Sequence, residues 1–209
     1  MSTRMIAVAV GVLFFVQMAT AMVGTFQIDA FVEDAGAPPR LGVLLMTVSG
    51  LAVVGIGLLM YQVLKEVNRR LAIWYPVLRI VECTVSVAGG VYLLSTLEVI
   101  PNHLLWIYVP TGIGGLILCY LLYVSGLVPR AIAILGLVGY GLFSLAVPLD
   151  FLGTLNMNEG LGMLILVPGF LFEFAVLPIW LIVKGFTSSP GSDLTSARPS
   201  ALAPGHAVR

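Results

Sequence analysis

Six long apolar segments constrain the fold of this 209-residue chain more than any other feature of its sequence. A helix needs about 20 mostly apolar residues to cross the roughly 30 Å hydrocarbon core of a bilayer. All six segments reach that length. They are residues 5–27, 41–64, 72–97, 104–125, 131–151 and 160–183. The sequence therefore predicts six transmembrane spans.

The low charge content predicts that lipid surrounds most of the chain. Only 10% of the residues are charged, whereas a soluble domain carries about 25%. Within hydrocarbon the backbone must satisfy its own hydrogen bonds, and long unbroken apolar runs favour helices over the alternating strands of a membrane barrel. The predicted fold class is an all-α integral membrane protein, a bundle of six transmembrane helices.

One transmembrane domain, residues 1–186, and a C-terminal tail, residues 187–209, make up the predicted organisation. Connections between the spans are short, and the longest predicted one covers 28–40. The tail is rich in Ser, Pro, Gly and Ala, a composition that predicts disorder.

The N-terminus has a second interpretation. Arg4, the first apolar run and Ala19-Thr20-Ala21 together resemble a secretory signal with its cleavage site. The apolar run continues to Phe26, which favours a retained first span. Cleavage would leave five spans in the same orientation.

Basic residues fall on one side of the predicted membrane. Eight of the ten Lys and Arg residues lie at alternate span ends, and Arg40 alone lies on the other side. The eight are Arg4, Lys65, Arg69, Arg70, Arg130, Lys184, Arg198 and Arg209. Because positively charged loops stay in the cytoplasm, both termini are predicted to be cytoplasmic.

Three ionisable residues fall inside the predicted spans: Arg79, Glu82 and Glu173. Charge within the bilayer is costly, so such residues are candidates for function. Arg79 and Glu82 stand three residues apart and share one face of the third span. Glu82 and Glu173 each lie about 10 residues from the same side, which at 1.5 Å per residue places both about 15 Å deep. We expect the two glutamates to meet near the midplane.

Two prolines, Pro168 and Pro178, flank Glu173 in the sixth span. A proline within a helix has no N–H to donate and leaves the carbonyl four residues earlier without its partner. A kinked helix with free carbonyls beside an acid is a candidate binding site.

One arginine and two glutamates in a common pocket leave one negative charge without a partner. A proton, a cation or a basic solute would supply the missing charge. The alternative is that Arg79, Glu82 and Glu173 form a buried polar clamp that fixes how the helices pack.

Other kinds of site find little support in the sequence. No Cys pair, third His or acid cluster stands at metal-ligand spacing, and no cofactor is predicted. Net charge is zero, which does not favour nucleic acid as a partner. No nucleophile and base pair is visible, so an enzyme is not expected.

The connection at 61–72, with Arg79 and Glu82 after it, resembles a bacterial membrane family known as domain of unknown function 4386 (DUF4386). The stretches 125–130 and 180–186, with Pro168 and Glu173, are similar to it as well, so the resemblance covers about 61–186. The resemblance implies a polytopic helical protein of a bacterial cytoplasmic membrane, and it supplies no catalytic residues for this chain.

Three functions follow as hypotheses. The first is a small-solute or proton-coupled transporter that uses the midplane charges, with the lipid bilayer and a proton, cation or small solute as its partners. The second is a scaffold, sensor or complex subunit in which the charges are structural. A lipid-modifying enzyme is the least favoured.

Overall fold

The computed structural model describes residues 2–33, 38–157 and 159–187, and most of them are helical. No strand occurs in these ranges. The helices are α1 (Thr3–Glu33), α2 (Arg40–Ala72), α3 (Trp74–Thr96), α4 (His103–Ser125), α5 (Arg130–Phe151) and α6 (Gly160–Val183). All six are long and apolar enough to cross a membrane. The predicted all-α class with six spans is confirmed.

The six helices form a ring in which each packs against the next one in the chain, and α2 also contacts α4. The ring is completed by the second half of α6, from Phe172 onward, which packs against α1. Short connections between sequential helices produce this antiparallel arrangement. The outer surface is apolar, with Leu51, Leu145 and Leu164 each more than 60% exposed. Such a surface is stable in lipid and not in water.

The first two helices are longer than the sequence predicts. α1 continues to Glu33, and α2 continues to Ala72 with one non-helical residue at Asn68. The predicted spans end at 27 and 64 because the apolar runs end there, but backbone hydrogen bonding continues beyond the apolar region. The Asn68 side-chain oxygen accepts the N–H of Leu71 at 3.1 Å, which starts the turn into α3.

Charge divides the bundle into two ends. The basic end, where α1 begins and α6 ends, carries Arg4, Lys65, Arg69, Arg70, Arg130 and Lys184. The acidic end, where α1 ends and α6 begins, carries Asp29, Glu33, Glu98, Asp150 and Glu159, together with Arg40.

The main hydrophobic core fills the half of the bundle near the basic end. Its fully buried members include Phe14, Met60, Leu64, Leu118, Leu122, Leu177 and Leu181. Arg4 closes the ring there, because its guanidinium donates to the carbonyls of Ile182 at 2.7 Å and Val183 at 3.2 Å. A cation at a helix C-terminus satisfies carbonyls that have no partner within the helix.

The chain after α6 turns back onto the bundle. Gly185 has a φ of 78°, and the N–H of Thr187 donates to the carbonyl of Leu127 at 2.8 Å. The rest of the predicted tail, 188–209, lies outside the described residues, as does 34–37 in the connection between α1 and α2.

Candidate functional site

Arg79 and Glu82 form a close ion pair within α3. The Nη1 atom of Arg79 lies 2.7 Å from Oε2 of Glu82, as their spacing of three residues allows. Arg79 is 3% exposed and Glu82 is 8% exposed. The pair is thus removed from the surroundings of the bundle, and the face of α3 that carries both residues points inward.

A π-helical turn at Phe172–Val176 carries Glu173. In this turn the N–H of Leu177 donates to the carbonyl of Phe172, five residues earlier. Pro178 follows directly and has no N–H to donate, so the regular α-helical pattern is interrupted here. Single π-helical turns are frequent at functional sites. The kink predicted from the prolines thus takes the form of a widened turn.

Tyr140 of α5 lies between α3, which carries Glu82, and α6, which carries Glu173. Its hydroxyl donates a hydrogen bond to Oε1 of Glu173 and accepts one from Nη2 of Arg79 at 3.5 Å. The same Nη2 lies 4.0 Å from Oε1 of Glu173. Arg79 also stacks on the ring of Tyr75, 5.0 Å from the ring centre. The structure brings Arg79, Glu82 and Glu173 together, with Tyr140 between the helices.

Glycines make room for these side chains. Gly57 of α2 faces the stem of Arg79, where an added Cβ would lie 3.2 Å from the Arg79 Cβ. Gly115 of α4 faces the Tyr140 ring, and any side chain there would occupy the ring's place. Small residues allow helices in a membrane to approach closely.

Each glutamate has one oxygen engaged and one oxygen free of protein donors. Oε2 of Glu82 and Oε1 of Glu173 take the bonds from Arg79 and Tyr140. Among the described residues, no donor reaches Oε1 of Glu82 or Oε2 of Glu173. With both acids ionised the cluster carries one net negative charge. The arrangement can therefore accept a proton or a cation.

A cavity of about 250 Å³ reaches both glutamates. All six helices contribute to its wall, through Gln17, Ser49, Glu82, Thr111, Tyr140 and Glu173 among others. Its remaining lining residues, such as Thr25 and Leu104, extend from the level of the cluster toward the acidic end. The side chain of Arg79 lies behind this wall. The cavity and the main core thus occupy opposite halves of the bundle.

A second cavity of about 350 Å³ continues toward the acidic end. It shares Thr25, Met46, Ser86 and Leu104 with the first cavity. Asp29, His103 and Asp150 line it. The two cavities therefore adjoin each other between the midplane glutamates and the acidic end of the bundle.

Two contributors to the site were not predicted as such. Tyr75 lies one helical turn before Arg79 on α3 and is fully buried against it. Tyr140 lies among apolar residues of α5, and only a tertiary contact reveals its role. A polar hydroxyl at the centre of an apolar span is the signal that could have identified it.

The two flanking prolines have different surroundings. Pro168 lies inside α6 beside Gly139 of α5, and Pro178 lies in the turn after the π-helical residues.

In the part of the chain that the structure describes, no three His, Cys, Asp or Glu side chains are placed to hold a metal ion.

Comparison with known proteins identifies a family without an assigned function. The family model described as "Domain of unknown function (DUF4386)" matches residues 5–104 and 101–185. The match extends beyond the resemblance over 61–186 and includes the first two helices. No curated protein and no solved structure matches the chain. With this family match and six apolar helices, the chain is a multi-pass membrane protein and belongs to the DUF4386 family.

Proposed function

We propose that this protein is a small-solute transporter in which binding at Glu82 and Glu173 is coupled to a proton or another cation. The observation that carries the proposal is the cavity that approaches both glutamates from the acidic end. Its volume of about 250 Å³ far exceeds the ~10–15 Å³ that one water needs. The charged groups therefore have room for a bound solute.

One-sided access supports this function. The cavity lies in the acidic half of the bundle, while tightly packed apolar side chains fill the basic half. A transporter that alternates its access exposes a midplane site to one side at a time, often through interrupted helices. The π-helical turn of α6, next to Pro178, is a suitable hinge because its backbone bonding is already irregular.

The charge balance of the cluster supports the coupling of solute binding to a proton or another cation. Arg79 neutralises one carboxylate, and the other needs a proton or a positively charged partner to be stable at this depth. Loading and release of that partner would change the bonds among Arg79, Tyr140 and Glu173. The same bonds join α3, α5 and α6, so a change in charge state would alter how these helices pack.

A structural clamp is the alternative function. The close pair within α3, the Tyr75 ring and the Tyr140 hydroxyl hold Arg79 on several sides. Such a set of contacts also suits a scaffold, sensor or complex subunit. The alternative predicts that Glu173→Gln leaves function intact in a protein that still folds.

Flux measurements separate the two. Purified protein in liposomes with an imposed pH gradient is offered a panel of labelled anionic, neutral and cationic solutes. We expect gradient-driven uptake of at least one of them, and its loss in Glu173→Gln. Glu98→Gln, an exposed acid at the acidic end, is the matched control and should transport normally. Uptake no different from that of empty liposomes, or equal uptake by Glu173→Gln, would contradict the proposal.

The proposed location is a bacterial cytoplasmic membrane, with the basic end and both termini in the cytoplasm. The segregation of basic residues supports this orientation. Reporter fusions after Leu64 and after the C-terminus should report the cytoplasm, and a fusion at Ala35 should report the opposite side. A C-terminal fusion that reports the outside would overturn the orientation.

A further inference from the structure

We propose that the transported solute is a small organic amine, bound as its ammonium ion with an apolar body. This inference rests on the proposed function and names its substrate class. It comes from the chemistry of the cavity wall, which combines hydrogen-bond acceptors at one place with apolar and aromatic side chains elsewhere.

The acceptors lie at the inner end and on one wall of the cavity. Glu82, more than nine-tenths buried, presents an Oε1 that accepts no bond from the described residues, and the same holds for Oε2 of Glu173. The buried Oε1 of Gln17 likewise has no donor within the described ranges. The Gln17 oxygen is buried without a donor, which is unfavourable, and both glutamates line the same cavity, so a ligand that donates hydrogen bonds suits the site.

An ammonium group fits these acceptors. It carries one positive charge and three N–H donors and accepts no hydrogen bond. Its charge would offset the excess negative charge of Arg79, Glu82 and Glu173. An anion would instead meet two carboxylates, and Arg79 lies behind the wall.

The rest of the wall fits an apolar body. Its members there include Met18, Met46, Val53, Phe143, Leu166 and Phe170. Aromatic faces attract cations, and Met side chains adapt to varied shapes. A hydrated inorganic ion would leave this surface without a partner. The volume lies at or below the lower limit of ~300–1,000 Å³ found for drug-sized ligands, which indicates a small solute.

The entrance favours cations as well. The second cavity carries Asp29 and Asp150 together with His103, and Arg40 is the only Lys or Arg residue at the acidic end within the described residues. A wall with one sign of charge concentrates ions of the opposite sign. Acids near the acidic end and at the midplane thus both attract an ammonium ion.

Equilibrium binding to the purified full chain in detergent tests this inference without any flux. The probes are phenethylammonium, the neutral phenethyl alcohol of the same shape, and Na⁺ alone. We expect phenethylammonium to bind at least ~10-fold more tightly than the alcohol, because a charge-assisted bond contributes well over 1 kcal/mol. Glu82→Gln and Glu173→Gln should each weaken its binding by ~10-fold or more, with Glu98→Gln unchanged.

Equal affinity for the amine and the alcohol would overturn the inference, as would amine binding that neither glutamate change affects. Displacement of the amine by equimolar Na⁺ would assign the site to an inorganic cation and overturn it too. If a glutamate variant fails to fold, the comparison of the three probes on the parent protein still decides. Amine binding without transport of any solute would contradict only the transporter. Transport of a neutral or anionic solute without amine binding would contradict only the amine.

Discussion

At the scale of single residues, Arg79 is the positive charge that offsets two buried carboxylates. We expect Arg79→Gln to lower the free energy of unfolding by ~3–5 kcal/mol, because it leaves Glu82 buried without a counter-ion. Adding Glu82→Gln should recover a substantial part of that loss. Denaturant unfolding in micelles measures both variants. A loss below ~1 kcal/mol, or no recovery in the double variant, would show that the pair is not an important ion pair.

The Tyr140 hydroxyl provides a second prediction at this scale. Tyr140→Phe keeps the ring against Gly115 and removes the hydrogen bond to Glu173. We expect a loss of ~1.5–3 kcal/mol in the free energy of unfolding, the range for a bond to a charged group. The same change in a Glu173→Gln background should cost less. Equal losses in the two backgrounds, compared in a double-mutant cycle, would mean that the hydroxyl does not act through Glu173.

The sequence predicted the charged part of the site and not its aromatic part. Helical spacing alone places Arg79 beside Glu82, and the rise per residue alone places Glu173 at the depth of Glu82. Tyr140 stands on another helix, and its contact with Glu173 depends on which face α5 turns inward. That rotation is decided by packing of small residues such as Gly115 and Gly139, which no single-helix pattern specifies.

At the scale of helices, the backbones of α5 and α6 approach each other closely near the site. A Cβ added to Gly139 would lie 2.5 Å from the backbone of Gly169. We expect Gly139→Ala to separate the helices and to cost ~1–3 kcal/mol. Gly141→Ala, two residues along the same helix, meets nothing within 4 Å and should be neutral or slightly stabilising. Thermal unfolding of both variants checks the difference, and equal melting temperatures would contradict it.

The six helices could be predicted from the sequence, whereas the exact helix ends and the π-helical turn of α6 could not. Apolar run length identifies each span, but 28–33 and 65–72 are helical although they are polar, because backbone hydrogen bonds do not depend on lipid. Pro178 indicates an irregular α6, yet the choice between a kink and a π-helical turn depends on its contacts with α5 and α1. The local sequence therefore predicts where α6 is irregular, but not whether the irregularity is a kink or a π-helical turn.

At the scale of the whole molecule, the bundle is asymmetric along its axis. Packed apolar side chains fill the basic half, and two adjoining cavities occupy the acidic half. The Arg79, Glu82 and Glu173 cluster lies at the boundary between the halves. This asymmetry leads to the central claim, that water and solute reach the glutamates from the acidic end and not from the basic end.

Cysteine accessibility in membrane vesicles tests that claim most directly. In a chain carrying Cys83→Ala and Cys119→Ala, Ser86→Cys places a thiol on the wall of both cavities, and Leu118→Cys places one in the packed core. Glu98→Cys and Glu66→Cys mark the acidic and basic ends, and a membrane-impermeant maleimide is applied to each side in turn. The account predicts that Ser86→Cys is labelled only from the side that labels Glu98→Cys, and that Leu118→Cys is labelled from neither. Labelling of Ser86→Cys from the side that labels Glu66→Cys, or from neither side, would contradict it.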